Sequence, residues 1–190
     1  MRALGRVSRG LGIPVVIKET GCGLSRHAAK VALDHGVEWV DVSGAGGTSW
    51  VGVEALRAKG MNASLGAQFW DWGIPTAASL VQLADLPIKA IATGGIRHGL
   101  DVARAIALGA HAVGLARPFL MAHNAGGIEG LRRFLEELIE GLKTAMLLTG
   151  SQNLEALRRC PLILGPTLQG WVPKGSPIIN RIVNPLPGLR

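Results

Sequence analysis

The stretch Ile88-Lys89-Ala90-Ile91-Ala92-Thr93-Gly94-Gly95 decides the fold, because an apolar run passes into a glycine pair and then into a helical pattern over 99–109. Three further runs have the same organisation, over 14–19, 39–43 and 112–116. None of these runs alternates polar with apolar residues, so they predict strands of a parallel sheet that is buried on both faces. The glycine turns then lie at the carboxyl edge of the sheet, where α/β proteins bind ligands.

Two α/β architectures satisfy this pattern, the closed (β/α)₈ barrel and the open doubly wound sheet. A complete barrel needs about 250 residues, whereas this chain has 190 and shows four strand–helix units. After Ala122 the pattern changes to one amphipathic helix over about 126–149, and from Pro161 onward the chain holds six prolines. We therefore divide the chain into residues 1–150, which contain the strand–helix units, and residues 151–190, an extension with an irregular, proline-rich tail.

The composition favours one globular domain of the cytoplasm, since 48% of the residues are hydrophobic and no run of 18 residues is free of charge or turn residues. Neither a membrane span nor a signal peptide is expected. The net charge of +7 lies at the ends, with three arginines in residues 1–10 and five basic residues in 156–190. Taking those eight from the 20 basic residues leaves 12 against 13 acidic ones, so no basic face for nucleic acid is predicted. Two distant cysteines form no disulfide framework.

Two of the glycine turns predict a phosphate site. Thr93-Gly94-Gly95-Ile96-Arg97 lets backbone N–H groups approach an anion, and Gly114-Leu115-Ala116-Arg117-Pro118 places a guanidinium and a helix start beside it. Barrels bind phosphate after their last two strands. The alternative is that the glycines serve only backbone conformations with positive φ, but their occurrence in consecutive units favours phosphate. Because no GxGxxG opens a unit, a dinucleotide fold is the weaker option.

Other polar residues also follow the strands. Lys18 ends the first strand, where it either neutralises an anionic ligand or is a solvated edge residue. Its neighbour Glu19 is expected on the opposite face, paired with a helix. Ser43 and Thr48 flank the Gly-Ala-Gly-Gly turn and offer hydroxyl groups, although Thr48 is equally well placed to cap a helix. His98, at the rim of the turn after the third strand, is expected to be a cap or turn residue.

Five segments together resemble one protein family. They occur along the chain in this order: Val16-Ile17-Lys18-Glu19-Thr20-Gly21-Cys22-Gly23-Leu24-Ser25, Val40-Asp41-Val42-Ser43-Gly44-Ala45-Gly46-Gly47-Thr48-Ser49-Trp50, Trp72-Gly73-Ile74-Pro75-Thr76-Ala77, Thr93-Gly94-Gly95-Ile96-Arg97-His98-Gly99-Leu100-Asp101 and Leu142-Lys143-Thr144-Ala145-Met146-Leu147-Leu148-Thr149-Gly150. Over residues 12–172 the chain resembles type II isopentenyl diphosphate isomerase. That family is an FMN-dependent TIM barrel of isoprenoid biosynthesis, which interconverts isopentenyl and dimethylallyl diphosphates with reduced flavin, Mg²⁺ and NADPH.

The resemblance implies a role for each candidate residue and a place for the chain within the barrel. Lys18 is implied near the isoalloxazine ring, with Ser43 and Thr48 as further FMN contacts. The FMN phosphate is implied to bind at Gly94, Gly95, Ile96, Ala116 and Arg117. Residues 1–150 are expected to be the last four βα units of the (β/α)₈ barrel, a half-barrel followed by the helix and the tail.

The chain also departs from the family pattern. The glutamine and the Mg²⁺-binding glutamate of the fourth strand are not in this chain, so no catalytic or metal-binding residue is assigned. We expect the chain to be inactive alone and to act as a homo-oligomer or with a missing amino-terminal half. The flavin-dependent 2-hydroxy acid oxidases are the nearest competitor, but they carry His-Gly-Gly-Arg where this chain has Ala45-Gly46-Gly47-Thr48. A silent half-barrel that binds FMN, phosphate or a partner chain is the other alternative, as is an FMN-dependent oxidoreductase acting on another substrate.

Overall fold

The predicted parallel sheet is confirmed in a computed structural model of the chain, which describes residues 2–183. Its strands lie in chain order and all neighbouring pairs are parallel. Ile17 lies opposite Val40, which in turn lies opposite Ala90. The strands are β1 (Val16–Lys18), β2 (Trp39–Asp41), β3 (Lys89–Ala92) and β4 (Ala112–Val113). Because the four are parallel and sequential, their carboxyl ends share one edge, as expected for part of a TIM barrel.

Helices alternate with the strands and continue beyond them. They are α1 (Arg2–Gly10), α2 (Arg26–Asp34), α3 (Trp50–Arg57), α4 (Met61–Gln68), α5 (Thr76–Leu83), α6 (Gly99–Ala107), α7 (Arg117–Leu148), α8 (Leu154–Arg159) and α9 (Pro166–Gln169), followed by a 3₁₀ helix over Pro177–Arg181. Within residues 2–183, no helix combines the length and the apolarity needed to cross a bilayer.

Side-chain caps determine where several helices begin. A serine directly before a helical pattern predicts a helix start, and the Ser25 hydroxyl accepts the Ala28 N–H at 3.2 Å at the start of α2. His98 caps α6 by accepting the Asp101 N–H, as expected for a cap residue. Thr48 does not cap α3, because the neighbouring Ser49 takes that position, so the capping alternative for Thr48 is wrong.

The long helix α7 begins at the helix start that the sequence predicts beside Arg117, and it is broken in its course. It starts at Arg117, directly after β4, and Gly126 and Gly127 leave helical geometry. Gly127 has φ 58° and ψ −144°, a conformation that glycine adopts without the strain a side chain would add. The amphipathic segment expected over 126–149 is therefore the second of two helical segments.

The sheet is covered by helices on one face and open on the other. Val40, Ala90 and Ala92 are buried among the helices. Lys18 and Lys89, which lie at the alternate positions, are exposed. The prediction of a sheet buried on both faces is therefore wrong for the part of the chain described, whereas the open inner face expected of a half-barrel is present.

The carboxyl-terminal extension packs into the same core. After Pro161 it is largely irregular, as expected, apart from α9 and the 3₁₀ helix; residues 184–190 lie outside the described part. Leu157 and Ile178 are each 2% exposed. The Arg181 guanidinium donates to the Ala107 carbonyl at 2.7 Å and to the Cys160 carbonyl at 3.0 Å. These contacts join the extension to the carboxyl ends of α6 and α8.

The packing of the extension predicts a contrast between two leucines of α8. Leu157→Ala should lower the free energy of unfolding by about 2–5 kcal/mol, because it empties a buried site. Leu154→Ala, at a position 39% exposed, is the matched control and should cost much less. Urea unfolding of both variants measures the difference, and equal small losses would mean that the extension is not part of the core.

An ion pair between α2 and the end of α5 predicts acid sensitivity. The hydrogen bond from the Arg26 guanidinium is the largest influence on the Asp85 carboxyl and lowers its pKa. Since the pKa is lower in the folded state, the stabilisation is complete at neutral pH and is lost as the pH falls below about 4. Asp85→Asn should cost about 1 kcal/mol at pH 7. The difference from the wild type should shrink toward pH 3 in urea titrations, and a pH-independent difference would contradict this origin.

Candidate functional site at the carboxyl edge of the sheet

The turns after the four strands are held side by side by backbone hydrogen bonds. Gly23 N–H donates to the Ser43 carbonyl at 3.0 Å, and Gly44 N–H donates to the Thr93 carbonyl at 2.9 Å. Gly114 N–H donates to the Ala92 carbonyl at 2.9 Å. Parallel pairing therefore continues beyond the strand ends, and the candidate residues of all four units share one edge.

The turns after β2 and β3 touch through glycines. A Cβ atom on Gly94 would collide with the Gly44 carbonyl, and one on Gly95 would lie 2.8 Å from the Gly46 carbonyl oxygen. Both residues also have positive φ, 96° for Gly94 and 79° for Gly95. Packing and backbone conformation thus require these glycines whether or not an anion binds, and the glycines alone do not separate the two interpretations of the motif.

The orientation of the peptide groups is more informative about anion binding. The Thr76 hydroxyl lies 3.0 Å from the Thr93 carbonyl oxygen and 2.7 Å from that of Gly94. Because N–H and C=O point in opposite directions across a trans peptide, the N–H groups of Gly94 and Gly95 point away from Thr76. Within residues 2–183, these two N–H groups have no protein acceptor at hydrogen-bond distance. The Ile96 N–H has none either within this range. The turn therefore presents three uncommitted donors.

The start of α7 adds positive charge beside this turn. A Cβ atom on Gly114 would come 2.6 Å from the Thr93 side chain, so the ends of β3 and β4 abut. Ala116 and Arg117 follow at the amino end of α7, and Arg117 is exposed without an acidic partner in the described chain. Arg97, by contrast, lies 3.6 Å from Asp101. The five residues predicted to bind phosphate thus lie on two adjacent strand ends.

Lys18 lies beside an aspartate on the next strand. Its Nζ is 3.0 Å from Asp41 Oδ2, and the lysine side chain is 55% exposed against 11% for the aspartate. Asp41 Oδ1 accepts the Ser43 N–H at 3.0 Å and the Thr93 hydroxyl at 2.5 Å. One carboxylate therefore connects Lys18, Ser43 and Thr93, which belong to three different units of the sheet.

Glu19 and Thr48 lie outside the hydrogen-bonded group around Asp41. Glu19 does not pair with a helix, because its carboxylate accepts the N–H groups of Thr20 and Cys22 and shapes the turn after β1. Thr48 is exposed, and in the described chain its hydroxyl makes no hydrogen bond to the group around Asp41. Ser43 and Lys18 are thus brought together, and Thr48 is not joined to them.

Asp41, Thr76 and Thr93 were not predicted as site residues from the sequence. A signal for Asp41 was available, since it is the one charged residue between Trp39 and Val42 in a strand that is otherwise apolar. Thr76 offered no comparable signal, because its contact with the turn after β3 depends on tertiary packing. No cluster of three or more His, Cys, Asp or Glu side chains suited to a metal ion occurs in residues 2–183.

The sequence is similar to proteins named isopentenyl-diphosphate delta-isomerase. It is 46% identical to the protein from Metallosphaera sedula, over 90% of this chain and 48% of that one. Identity to the protein from Pyrococcus furiosus is 41%, over 90% of this chain and 44% of that one. Identity to the protein from Halobacterium salinarum is 45%, over 85% of this chain and 46% of that one. The resemblance predicted from the motifs is confirmed, and the chain spans about half the length of these relatives.

Solved structures of mandelate oxidase have the same fold. A variant with benzaldehyde superposes with a TM-score of 0.58 and 27% identity, covering 83% of this chain and 42% of that one. A structure with (S)-2-phenylpropionate superposes with a TM-score of 0.58 and 28% identity, covering 83% of this chain and 41% of that one. Residues 1–163 match the family described as FMN-dependent dehydrogenase. Since that match extends over most of the 190 residues, the chain belongs to the FMN-dependent dehydrogenase family.

Proposed function

We propose that the chain forms the carboxyl-terminal part of an FMN-dependent isomerase that interconverts isopentenyl and dimethylallyl diphosphates. The observation that carries this proposal is the 46% identity, over 90% of the chain, to a protein named isopentenyl-diphosphate delta-isomerase. The family match supports FMN as the cofactor. The arrangement of the carboxyl edge supports the same assignment independently of the names.

The residues at this edge fit the phosphate of FMN. The uncommitted N–H groups of Gly94, Gly95 and Ile96 would donate to phosphate oxygens, as would backbone donors near Ala116. Arg117 would add a charged fork at the positive end of α7. Together these groups supply hydrogen bonds and positive charge where two strand ends abut, which is the chemistry a phosphate monoester needs.

The residues of β1 and β2 would contact the ring of the cofactor. In its reduced form FMN supplies the acid and base of the allylic rearrangement. Lys18, held by Asp41, would direct its remaining N–H groups toward the ring edge. Ser43 lies beside this pair, and Thr48 would extend the contact from the end of the same turn. The role of these residues is to orient the ring and to present a positive donor to it.

The similarity to mandelate oxidase raises oxidation of a 2-hydroxy acid as a second function, and the turn after β2 argues against it. That chemistry needs a base beside the substrate, and Ala45-Gly46-Gly47-Thr48 contains no ionisable side chain. The nearby His98 ring is committed to capping α6. The isomerase therefore accounts for the edge better than the oxidase does.

The open side of the sheet supports a site that is completed by further polypeptide. Both β1 and β4 pair on one side only within the described residues. Val16, which lies on the open face, is 44% exposed. We propose that the remaining half of the barrel, from the rest of a longer protein or from a second copy, covers this face. If that half is the rest of a longer protein, it would also supply the residues that bind Mg²⁺, the diphosphate and NADPH.

A binding experiment tests the phosphate site. FMN should bind more tightly than riboflavin, because most retained contacts are to the phosphate. Arg117→Gln should weaken FMN about tenfold and leave riboflavin unchanged, as expected for loss of one charge-assisted hydrogen bond. Arg97→Gln is the matched control, since Arg97 interacts with Asp101. Flavin fluorescence titration measures the affinity of each of the three proteins for both flavins, and equal wild-type affinity for FMN and riboflavin would contradict the site.

An activity experiment tests the shared site. The chain alone, with FMN, a reductant and Mg²⁺, should form no dimethylallyl diphosphate from isopentenyl diphosphate. Addition of the amino-terminal half of the Metallosphaera sedula relative should produce turnover. Product from the chain alone would contradict the need for a second half. An inactive mixture in which both parts are folded and bound to each other would contradict the isomerase assignment.

A further inference from the structure

We propose that Asp41 is the positioning residue of this site, acting through Lys18 and Ser43 to orient the groups that would contact the FMN ring. The inference rests on the proposed function and adds a residue that the sequence motifs did not assign. It follows from the burial of the carboxylate and from the identity of its partners.

The first observation is that both oxygens of the buried Asp41 carboxylate are paired. Asp41 is 8% exposed, and each of its oxygens has a partner. Oδ2 faces Lys18 Nζ at 3.0 Å, and Oδ1 accepts from Ser43 and Thr93. A buried carboxylate is costly unless it is paired and hydrogen-bonded, so this arrangement is stable only with all three partners in place.

The second observation concerns the mobility of Lys18. A lysine has a flexible four-carbon stem, and this side chain is more than half exposed. In the described chain the Asp41 carboxylate is the only acidic partner of its ammonium group. An ammonium carries three donors, of which Asp41 takes one. Asp41 therefore selects one side-chain conformation and leaves two donors for a ligand above the sheet edge.

The third observation is the backbone of Ser43. Its φ is 34°, the only positive value at a non-glycine among the described residues. Such a conformation is strained for a residue with a side chain and needs support from its surroundings. Asp41 supplies that support by accepting the Ser43 N–H two residues on, in the manner of an Asx turn. The path of the following glycine turn thus depends on Asp41.

The fourth observation links Asp41 to the phosphate turn. The Thr93 hydroxyl donates to Asp41, and the Thr93 carbonyl accepts from Gly44 N–H. Thr93 directly precedes Gly94, the first of the turn's three uncommitted donors. A single carboxylate is therefore in contact with the strand ends that would hold the ring and with the one that would hold the phosphate.

The substitution Asp41→Asn separates these contacts. Asparagine keeps one oxygen, which accepts from Ser43 and Thr93, but presents an NH₂ group where Oδ2 faced Lys18. Two donors would then face each other, and Lys18 would be released. If Asp41 acts through Lys18, Asp41→Asn should weaken FMN binding about fivefold in the wild type and have little effect in a Lys18→Met background.

The test is a double-mutant cycle on the full chain, using FMN as the probe. Dissociation constants are measured for the wild type, Asp41→Asn, Lys18→Met and the double variant. The midpoint potential of bound FMN is measured for the same four proteins, and its shift on Asp41→Asn should differ between the wild type and the Lys18→Met background, because only in the wild type does the substitution also release the Lys18 ammonium. Asp85→Asn is the matched control, since it breaks an ion pair elsewhere and should change neither quantity.

The outcomes distinguish this inference from the function on which it rests. Non-additive changes in affinity, with a shifted potential, support Asp41 as a positioning residue. Additive changes, or effects no larger than those of Asp85→Asn, overturn it while leaving the FMN site intact. Failure of the wild-type chain to bind FMN at all would overturn both proposals. Circular dichroism and urea unfolding of each variant show whether a loss of binding reflects a loss of folding.

Discussion

The carboxyl edge of this protein depends on direct backbone contact between two turns. Gly44 and Gly46, after β2, lie against Gly94 and Gly95, after β3, so closely that a methyl group at either of the latter positions would meet a carbonyl oxygen. This contact brings the two strand ends together and fixes the level at which Thr93 meets Asp41. A larger residue would therefore alter the site through the backbone before it altered any ligand contact.

Local patterns predicted the strands and most helix starts, because these depend on residues close together in the chain. Ser25 and His98 cap their helices as expected. The role of Thr76 and the packing of the extension after Pro161 were harder to predict from the sequence, because they depend on contacts between residues that are distant in the chain. Prolines there predicted irregular structure, but they begin short helices whose apolar side chains reach the core.

The candidate site shows the same contrast between features that local sequence predicts and features that depend on contacts between distant residues. The predicted phosphate residues lie together because strand order and turn position, both readable from the sequence, place them on adjacent strand ends. The link between Lys18 and Ser43 was not predicted, since it passes through Asp41 and depends on strand register. The prediction for Glu19 was wrong because a carboxylate next to a tight turn finds nearby N–H groups before it finds a helix.

The break at Gly126 and Gly127 divides helix α7 into two parts that pack against each other, since the Phe119 and Phe134 rings lie 5.0 Å apart and a Cβ atom on Gly130 would collide with the Ala122 carbonyl. The second part is fixed against α6, where the backbones at Gly99 and Gly141 approach closely. The first part, beginning at Arg117, follows the end of β4 and contacts the second part through Phe119. Because a helix terminus exerts its electrostatic influence over only about one turn, the short part keeps the full field of a long helix. Because the two parts touch, a displacement of the outer helix layer would be passed on to the anion-facing amides at the start of α7.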